Sequence, residues 1–134
     1  MNQNRYRIVS VDPIILIGKK IVLTKRAVDP YNGCWVLPGG RIEMNETVEQ
    51  ACMREAKEET GLKVKIVKMT GVYSSPKRDP RGTVAVAFLC SGKGKLRYAK
   101  EEASGIKLFD LEKLPKRLGF DHKKIIADAV SKKN

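Results

Sequence analysis

The sequence has few cysteine, histidine and aromatic residues, and it has no long hydrophobic run. Its 134 residues include three Cys and one His, and aromatic residues make up 6%. No apolar run approaches the ~20 residues that a membrane span needs, and "IILIG" at residues 14–18 has the length of a strand. The start, "MNQNRYR", has no apolar stretch behind its charges, so we expect neither a secretory signal nor a membrane partner.

The cysteine pattern excludes two further classes of protein. Cys34, Cys52 and Cys90 are an odd number and form no CxxC pair, so neither a disulfide framework nor a zinc site is indicated. We expect them to be reduced, buried, small hydrophobic residues of a cytoplasmic protein.

Charge is what the sequence has in excess. Lys and Arg number 27 against 15 Asp and Glu, a net charge of +12 that attracts phosphate-bearing partners. The lysines are scattered, and there is one Trp and no basic-aromatic stripe, so a nucleic-acid partner is not expected. The length and the absence of a linker predict a single domain over residues 1–134.

The pattern of elements predicts a mixed sheet with helices packed on it. We expect strands over residues 7–11 and 14–17, broken at Asp12-Pro13, then a turn at 18–20 and a strand over 21–25. A short apolar segment lies at 35–37. Further strands are expected around 64–66, 72–73, 83–90 and 106–109, with "SGKGK" after residue 90 as a flexible turn. Asp110 is a candidate cap for the turn "LEKL". Asp121 is the expected cap of a final helix with the apolar stripe Ile125, Ile126, Ala129 and Val130.

A central helix places carboxylates where apolar side chains are expected. Its start is predicted at Thr47, which can form a capping box with Gln50, and its end at Gly61. Val48, Ala51 and Cys52 define the inward stripe, and at about 100° per residue Glu55 and Glu59 continue it. Burying two ionised carboxylates is costly unless a cation binds them. Arg54 is one candidate cation, and a divalent metal ion such as Mg²⁺, which takes several oxygen ligands, is the favoured one.

The spacing of these residues resembles the Nudix box, Gx5Ex7REUxEExGU, where U is aliphatic. Residues 40–62 match all seven fixed identities without a gap, and Leu62 fits the last U position while Ala56 is a small residue at the first. The flanking "WVLPGG" and the strand order extend the resemblance over most of the chain. The resemblance implies an α/β/α sandwich and metal-dependent hydrolysis of the pyrophosphate bond in a nucleoside diphosphate linked to another group.

The family pattern also implies residue roles. Glu55 and Glu59 correspond to metal-binding glutamates, and Glu58 is a further ligand or part of the group that activates water. The backbone carbonyl of Gly39 is the remaining ligand that the pattern implies, and Mg²⁺ is the expected ion, with Mn²⁺ able to substitute.

Other charged residues complete the predicted catalytic set. Arg54 is expected to pair with Glu46 and orient the ligands. The general base stays open among Glu58, Glu101 and Glu102, and we include Glu102 in the predicted catalytic set. His122 is expected to be a surface residue beside a helix cap.

The loop "SSPKRDPRG" at residues 74–82 resembles the proline-containing stretch of ADP-ribose pyrophosphatases, although Thr83 stands where that subfamily often has a histidine. Guanidinium groups fit phosphate oxygens, so Arg78 and Arg81 are predicted to bind substrate, and Arg26 and Arg41 are further candidates. The expected reaction is ADP-ribose to AMP and ribose 5-phosphate.

Three alternatives remain open at this point. One is a nucleoside triphosphate pyrophosphohydrolase of the MutT type, and another is an RNA 5′-end hydrolase. The third is a non-catalytic ADP-ribose-sensing domain, which the complete set of glutamates and the short chain disfavour. Family members of this size are often homodimers. Four aromatic residues are candidates for stacking on the base: Tyr6, Tyr31, Phe109 and Phe120.

Overall fold

A computed structural model describes residues 5–131, and it contains seven strands and two helices. The first four residues of "MNQNRYR" and the pair Lys132-Lys133 lie outside the described residues. The strands are β1 (Val9–Ile17), β2 (Lys20–Arg26), β3 (Trp35–Val36), β4 (Gly40–Arg41), β5 (Lys63–Tyr73), β6 (Val84–Lys93) and β7 (Ala103–Asp110). The helices are α1 (Val48–Thr60) and α2 (His122–Val130).

The strands form one mixed sheet in the order β3-β2-β1-β6-β5, with β4 paired to β1 and β7 paired to β2. The pairing of β1 with β6 is parallel over residues 9–16 and 84–91, and the other strand pairs are antiparallel. The chain segment between β1 and β6 carries α1, so the parallel pair places this helix against the sheet.

Two apolar clusters lie on opposite faces of the sheet, because alternate residues of a strand point to opposite sides. Helix α1 packs on one face through Ala51, Cys52 and Ala56, and α2 packs on the other through Ile125, Ile126 and Ala129. This arrangement confirms the α/β/α sandwich. In the described residues, no helix is long and apolar enough to cross a membrane.

Three local predictions were wrong because strand pairing overrides turn-forming residues. Strand β1 runs through Asp12-Pro13 without a break. On the side away from β6 it pairs only at residues 10–11 and 16–17, so no strand there needs an N–H from Pro13 as a hydrogen-bond donor. Strand β6 includes Ser91–Lys93, which was expected to be a turn. Strand β5 is continuous across both predicted strands, with register shifts near Ile66 and Met69.

Candidate active site

Helix α1 begins and ends at the residues that its sequence predicts. The Thr47 hydroxyl accepts the Gln50 N–H at 3.1 Å, and the Gln50 side chain accepts the Thr47 N–H at 2.9 Å, so the capping box is complete. Gly61 ends the helix with φ of 78°, a left-handed conformation that glycine adopts without steric cost, and its N–H donates to the Lys57 carbonyl.

Two glutamates of α1 are buried, as the helical spacing predicts. Glu55 is 8% exposed and Glu59 is 6% exposed, whereas Glu49 and Lys57 on the outer face are exposed. Burial raises the pKa of Glu55, although Arg54 opposes the shift. The pKa of Glu59 is raised to about 8, mainly by burial and secondly by repulsion from the nearby Glu102 carboxylate. Both carboxyl groups are therefore destabilised when they are charged.

Arg54 pairs with several acidic side chains of this region, among them Glu55. Its Nε and Nη2 donate to the two oxygens of Glu46 at 2.7 and 2.8 Å. Its Nη1 donates to Glu55 at 2.9 Å and to Glu58 at 3.1 Å, and Nη2 also reaches the Arg41 carbonyl. These bonds lower the pKa of Glu46 and raise that of Arg54. The Arg54–Glu46 pair thus has the geometry that the sequence predicts for an orienting pair.

The segment Leu37–Gly40 brings backbone close to these carboxylates. A Cβ atom at Gly40 would lie 2.6 Å from the Glu55 carboxyl group, so only glycine permits this approach. Gly39 has φ of 155°, and a Cβ atom there would overlap the Val11 carbonyl of β1. The backbone that the family pattern expects to supply a ligand therefore runs directly beside Glu55.

The site opens into a cavity of about 550 Å³ with acidic and basic walls. Glu55, Glu58 and Glu102 line one part of it. Of the three candidate bases that the sequence left open, Glu58 and Glu102 line the cavity and Glu101 does not. Four arginines named from the sequence as substrate-binding residues also line the cavity: Arg26, Arg41, Arg78 and Arg81.

The structure distinguishes the two arginines of the "RDPRG" loop. Arg78 donates two bonds to Asp121 at 2.8 and 2.9 Å and one to the Thr83 carbonyl at 2.8 Å, and its side chain is 5% exposed. Arg81 pairs with the buried Asp79 at 2.9 Å but is 44% exposed. The guanidinium of Arg78 is thus already occupied by protein atoms, whereas Arg81 keeps a solvent-facing side.

Arg26 and the Phe120 ring form the neighbouring wall. Arg26 is half-buried and donates to the Pro30 carbonyl at 2.6 Å, and it has no carboxylate partner in the described part of the chain. Burial, together with Arg81, lowers the pKa of Arg26. The Phe120 ring lies 5.3 Å from the Arg26 guanidinium and 4.5 Å from the Tyr31 ring. Of the four aromatic residues considered from the sequence, Phe120 is the one that lines the cavity.

Three expectations about α2 were wrong. Asp121 precedes the helix but makes no side-chain cap bond, because its carboxylate binds Arg78 instead. His122 is not a surface residue: it is buried and lines the cavity, and its Nδ1 accepts the Leu37 N–H at 3.0 Å. Val130, expected in the apolar stripe, is 43% exposed. His122 and Asp12, which lies opposite it, are the site residues that sequence reasoning missed, because their partners are far away in the chain.

The oxygen atoms that this site offers are of the kind that bind a divalent metal ion. Buried carboxylates with raised pKa values beside a backbone segment offer the oxygen ligands that Mg²⁺ or Mn²⁺ prefers. Over residues 5–131, however, no three acidic, histidine or cysteine side chains are grouped closely enough to enclose an ion. Arg54 bridges Glu55 and Glu58, so ion binding requires these side chains to turn toward the ion.

Comparison with known proteins identifies the family. The NUDIX domain signature matches residues 7–129. The chain belongs to the NUDIX family. It is 50% identical over 127 residues to an ADP-ribose pyrophosphatase of Methanocaldococcus jannaschii, which covers 94% of this chain and 75% of that protein. The crystal structure of a MutT NUDIX hydrolase from Burkholderia pseudomallei is 29% identical with a TM-score of 0.83, and the match covers 95% of this chain and 100% of that one.

The family membership confirms the resemblance seen in residues 40–62 and makes the protein a Nudix pyrophosphohydrolase. Nudix hydrolases generally use divalent metal ions. A bifunctional NMN adenylyltransferase/ADP ribose pyrophosphatase from Francisella tularensis, complexed with AMP and a Mn ion, is similar in structure. It is 25% identical with a TM-score of 0.80, and the match covers 94% of this chain and 42% of that one.

Proposed function

We propose that this Nudix pyrophosphohydrolase cleaves ADP-ribose to AMP and ribose 5-phosphate with Mg²⁺, for which Mn²⁺ can substitute. The observation that carries the proposal is one cavity that has the buried Glu55 carboxylate on one wall and, on another, Arg26, a guanidinium without a carboxylate partner among residues 5–131. Such a cavity suits a pyrophosphate held between a metal ion and arginines. The 50% identity to a protein named ADP-ribose pyrophosphatase supports the choice of substrate.

The proposed metal ligands are the carboxylates of Glu55, Glu58 and Glu59 and the carbonyl of Gly39. When bound, the ion neutralises charge on the pyrophosphate and polarises its phosphorus–oxygen bonds. Arg54 orients Glu55 and Glu58, and its own position is fixed by its pair with Glu46.

Glu102 is the proposed general base. It lines the cavity and has no ion pair with Lys or Arg in the part of the chain that the structure describes, whereas Glu58 is bound by Arg54. A base needs a free carboxylate within reach of water. Glu102→Gln should lower kcat roughly 100-fold, the usual contribution of acid–base catalysis, and Glu101→Gln is the matched control that should leave kcat unchanged. Equal effects of the two variants would contradict the assignment.

Arg26 and Arg81 are the proposed phosphate contacts, with Arg41 at the exposed edge. Binding by Arg78 would require breaking its bonds to Asp121, so we assign Arg78 to holding the loop and not to the substrate. Phe120 is the proposed contact for the base. Arg26→Met and Arg81→Met should each raise KM for ADP-ribose roughly 10-fold, because each removes a bond to a charged group. Arg97→Met, an exposed position outside the cavity, serves as the control.

The decisive experiment is product analysis with purified protein and Mg²⁺. The panel contains ADP-ribose, diadenosine polyphosphates, NADH, ADP-glucose, (d)NTPs and 5′-triphosphate RNA. AMP plus ribose 5-phosphate from ADP-ribose, with little turnover of the others, is the expected result. Preferential cleavage of triphosphates or of RNA 5′ ends would contradict ADP-ribose as the substrate, but it would agree with pyrophosphate hydrolysis as the reaction. Tight binding of ADP-ribose with no cleavage of any compound would overturn catalysis itself.

A further inference from the structure

His122, the one histidine of the chain, connects the start of α2 to the segment before β4. Its ring is buried, and Nδ1 accepts the Leu37 N–H at 3.0 Å, a bond between residues 85 positions apart. A buried N–H that lost this acceptor would be left unsatisfied at a substantial cost. The bond therefore fixes the backbone at Leu37 to helix α2.

The second ring nitrogen faces Asp12 of β1. Because Nδ1 accepts a hydrogen bond, the proton of the neutral ring is on Nε2. Nε2 lies 3.6 Å from Asp12 Oδ2, a buried oxygen that has no hydrogen-bond partner in the described residues. This distance is longer than a normal hydrogen bond, so the two groups are neighbours and not a bonded pair.

Asp12 also lies against the segment that His122 fixes. A Cβ atom at Gly39 would lie 2.9 Å from Asp12 Oδ1 and would overlap the Val11 carbonyl. The segment Leu37–Gly39 is therefore bonded to His122 at Leu37 and is followed by Gly40, which pairs with Val11 of β1. Nδ1 already accepts the Leu37 N–H and Nε2 carries the proton of the neutral ring, so the ring is not free to act as a general base.

We propose that His122 is a positioning residue that fixes Leu37 in the segment Leu37–Gly39, so that the Gly39 carbonyl keeps its place in the divalent-metal site. The inference rests on the proposed function, because it takes Gly39 as a ligand. Residues that orient metal ligands typically change metal affinity 10- to 100-fold when they are replaced.

Two amide variants separate the two ring nitrogens. The side-chain oxygen of Asn can occupy the place of Nδ1, and that of Gln occupies the place of Nε2. His122→Asn should therefore keep the bond from Leu37, and His122→Gln should lose it. Mn²⁺ binding to the metal-stripped protein, without substrate, is measured by electron paramagnetic resonance. We expect His122→Gln to weaken Mn²⁺ binding roughly 10- to 100-fold and His122→Asn to stay within about 3-fold of wild type.

Two controls distinguish a failure of this inference from other failures. Ile126→Val removes a methyl group from the core side of the same helix without touching the segment, and it should lower the unfolding midpoint without changing Mn²⁺ affinity. Glu59→Gln should weaken Mn²⁺ binding, and if it does not, the proposed metal site is wrong. Wild-type affinity in His122→Gln, or an equal loss in both His122 variants including a loss of folding, would overturn the positioning role alone.

Discussion

The two helices use their stabilising positions in opposite ways. Helix α1 has a complete capping box and a left-handed glycine at its end, yet it places Glu55 and Glu59 at inward positions. Helix α2 fills its inward positions with Ile125, Ile126 and Ala129, yet the side chain of its cap residue does not cap it. Each helix thus gives up one local stabilising feature: Glu55 of α1 lines the cavity, and the Asp121 carboxylate before α2 binds Arg78, which also lines it.

The comparison shows at which positions the side chains near the cavity lower the stability of the folded protein. In α1 the cost lies in the interior of the helix and is offset at its ends, where the caps contribute about 1 kcal/mol each. In α2 the cost lies at the N-terminus and is offset by apolar packing and by the bond between Asp121 and Arg78. Substitutions at these positions test the comparison directly.

Glu59→Gln should have the largest effect. If the inward carboxylates of α1 serve a metal ion, this change should lower kcat/KM at least roughly 100-fold, the range seen when a group that stabilises transition-state charge is lost. Steady-state assays with ADP-ribose and Mg²⁺ measure it, and Glu49→Gln on the exposed face of the same helix is the control. A variant that keeps most of its activity would show that Glu59 is not a ligand.

The same substitution should change how stability depends on pH. The pKa of Glu59 is raised from 4.5 to about 8 in the folded protein. Its contribution to stability is therefore fully present below about pH 4.5 and is lost as the pH rises toward 8. When metal ions are removed with a chelator and unfolding is measured in urea, Glu59→Gln and wild type should have similar stability at pH 4.5. At pH 8 the variant should be more stable, on the order of a few kcal/mol. A difference that does not grow with pH would contradict the burial argument.

Asp121→Ala tests the claim that α2 has exchanged its cap for an ion pair. Removing the carboxylate leaves the nearly buried guanidinium of Arg78 without its partner, so the free energy of unfolding should fall by about 3 kcal/mol. In an Arg78→Met background the same change should cost less than about 1 kcal/mol, because no cap bond is lost. Urea unfolding of all four proteins completes the cycle. A similar cost in both backgrounds would restore Asp121 as a cap.

Thr47→Ala should have the smallest effect. It removes the hydroxyl that caps α1, and the free energy of unfolding should fall by about 1 kcal/mol with little change in kcat. Thr47→Ser keeps the hydroxyl and should stay within a few tenths of a kcal/mol of wild type. A large loss of activity in Thr47→Ala would mean that the cap also controls the positions of the buried glutamates.

Features that depend on neighbouring residues could be predicted from the sequence. The capping box joins Thr47 and Gln50, and the burial of Glu55 and Glu59 follows from the period of the helix. The sandwich fold followed from the order of the elements and from the box. These parts of the fold and of the site are local, so the sequence pattern contains them.

Features that depend on distant partners could not be predicted in this way. Asp121 was expected to cap α2, but its partner Arg78 is 43 residues away. His122 was expected at the surface, but its acceptor position is filled by a backbone group 85 residues away. Asp12-Pro13 was expected to break the first strand, but β1 runs through these two residues because it is paired with β6 there. No periodicity or spacing rule encodes such contacts, because they arise only when the sheet brings these segments together.

The parallel pairing of β1 with β6 has a consequence for how the protein folds. Residue 9 pairs with residue 84, and all of α1 lies in the chain between them. Contacts between residues so far apart in sequence form slowly, because the intervening chain must lose entropy before the contact stabilises it. The caps of α1 can form early from local contacts. Asp12, on β1, reaches the residues of the other half of the cavity only after the strand ladder closes, so catalytic competence should appear late in refolding.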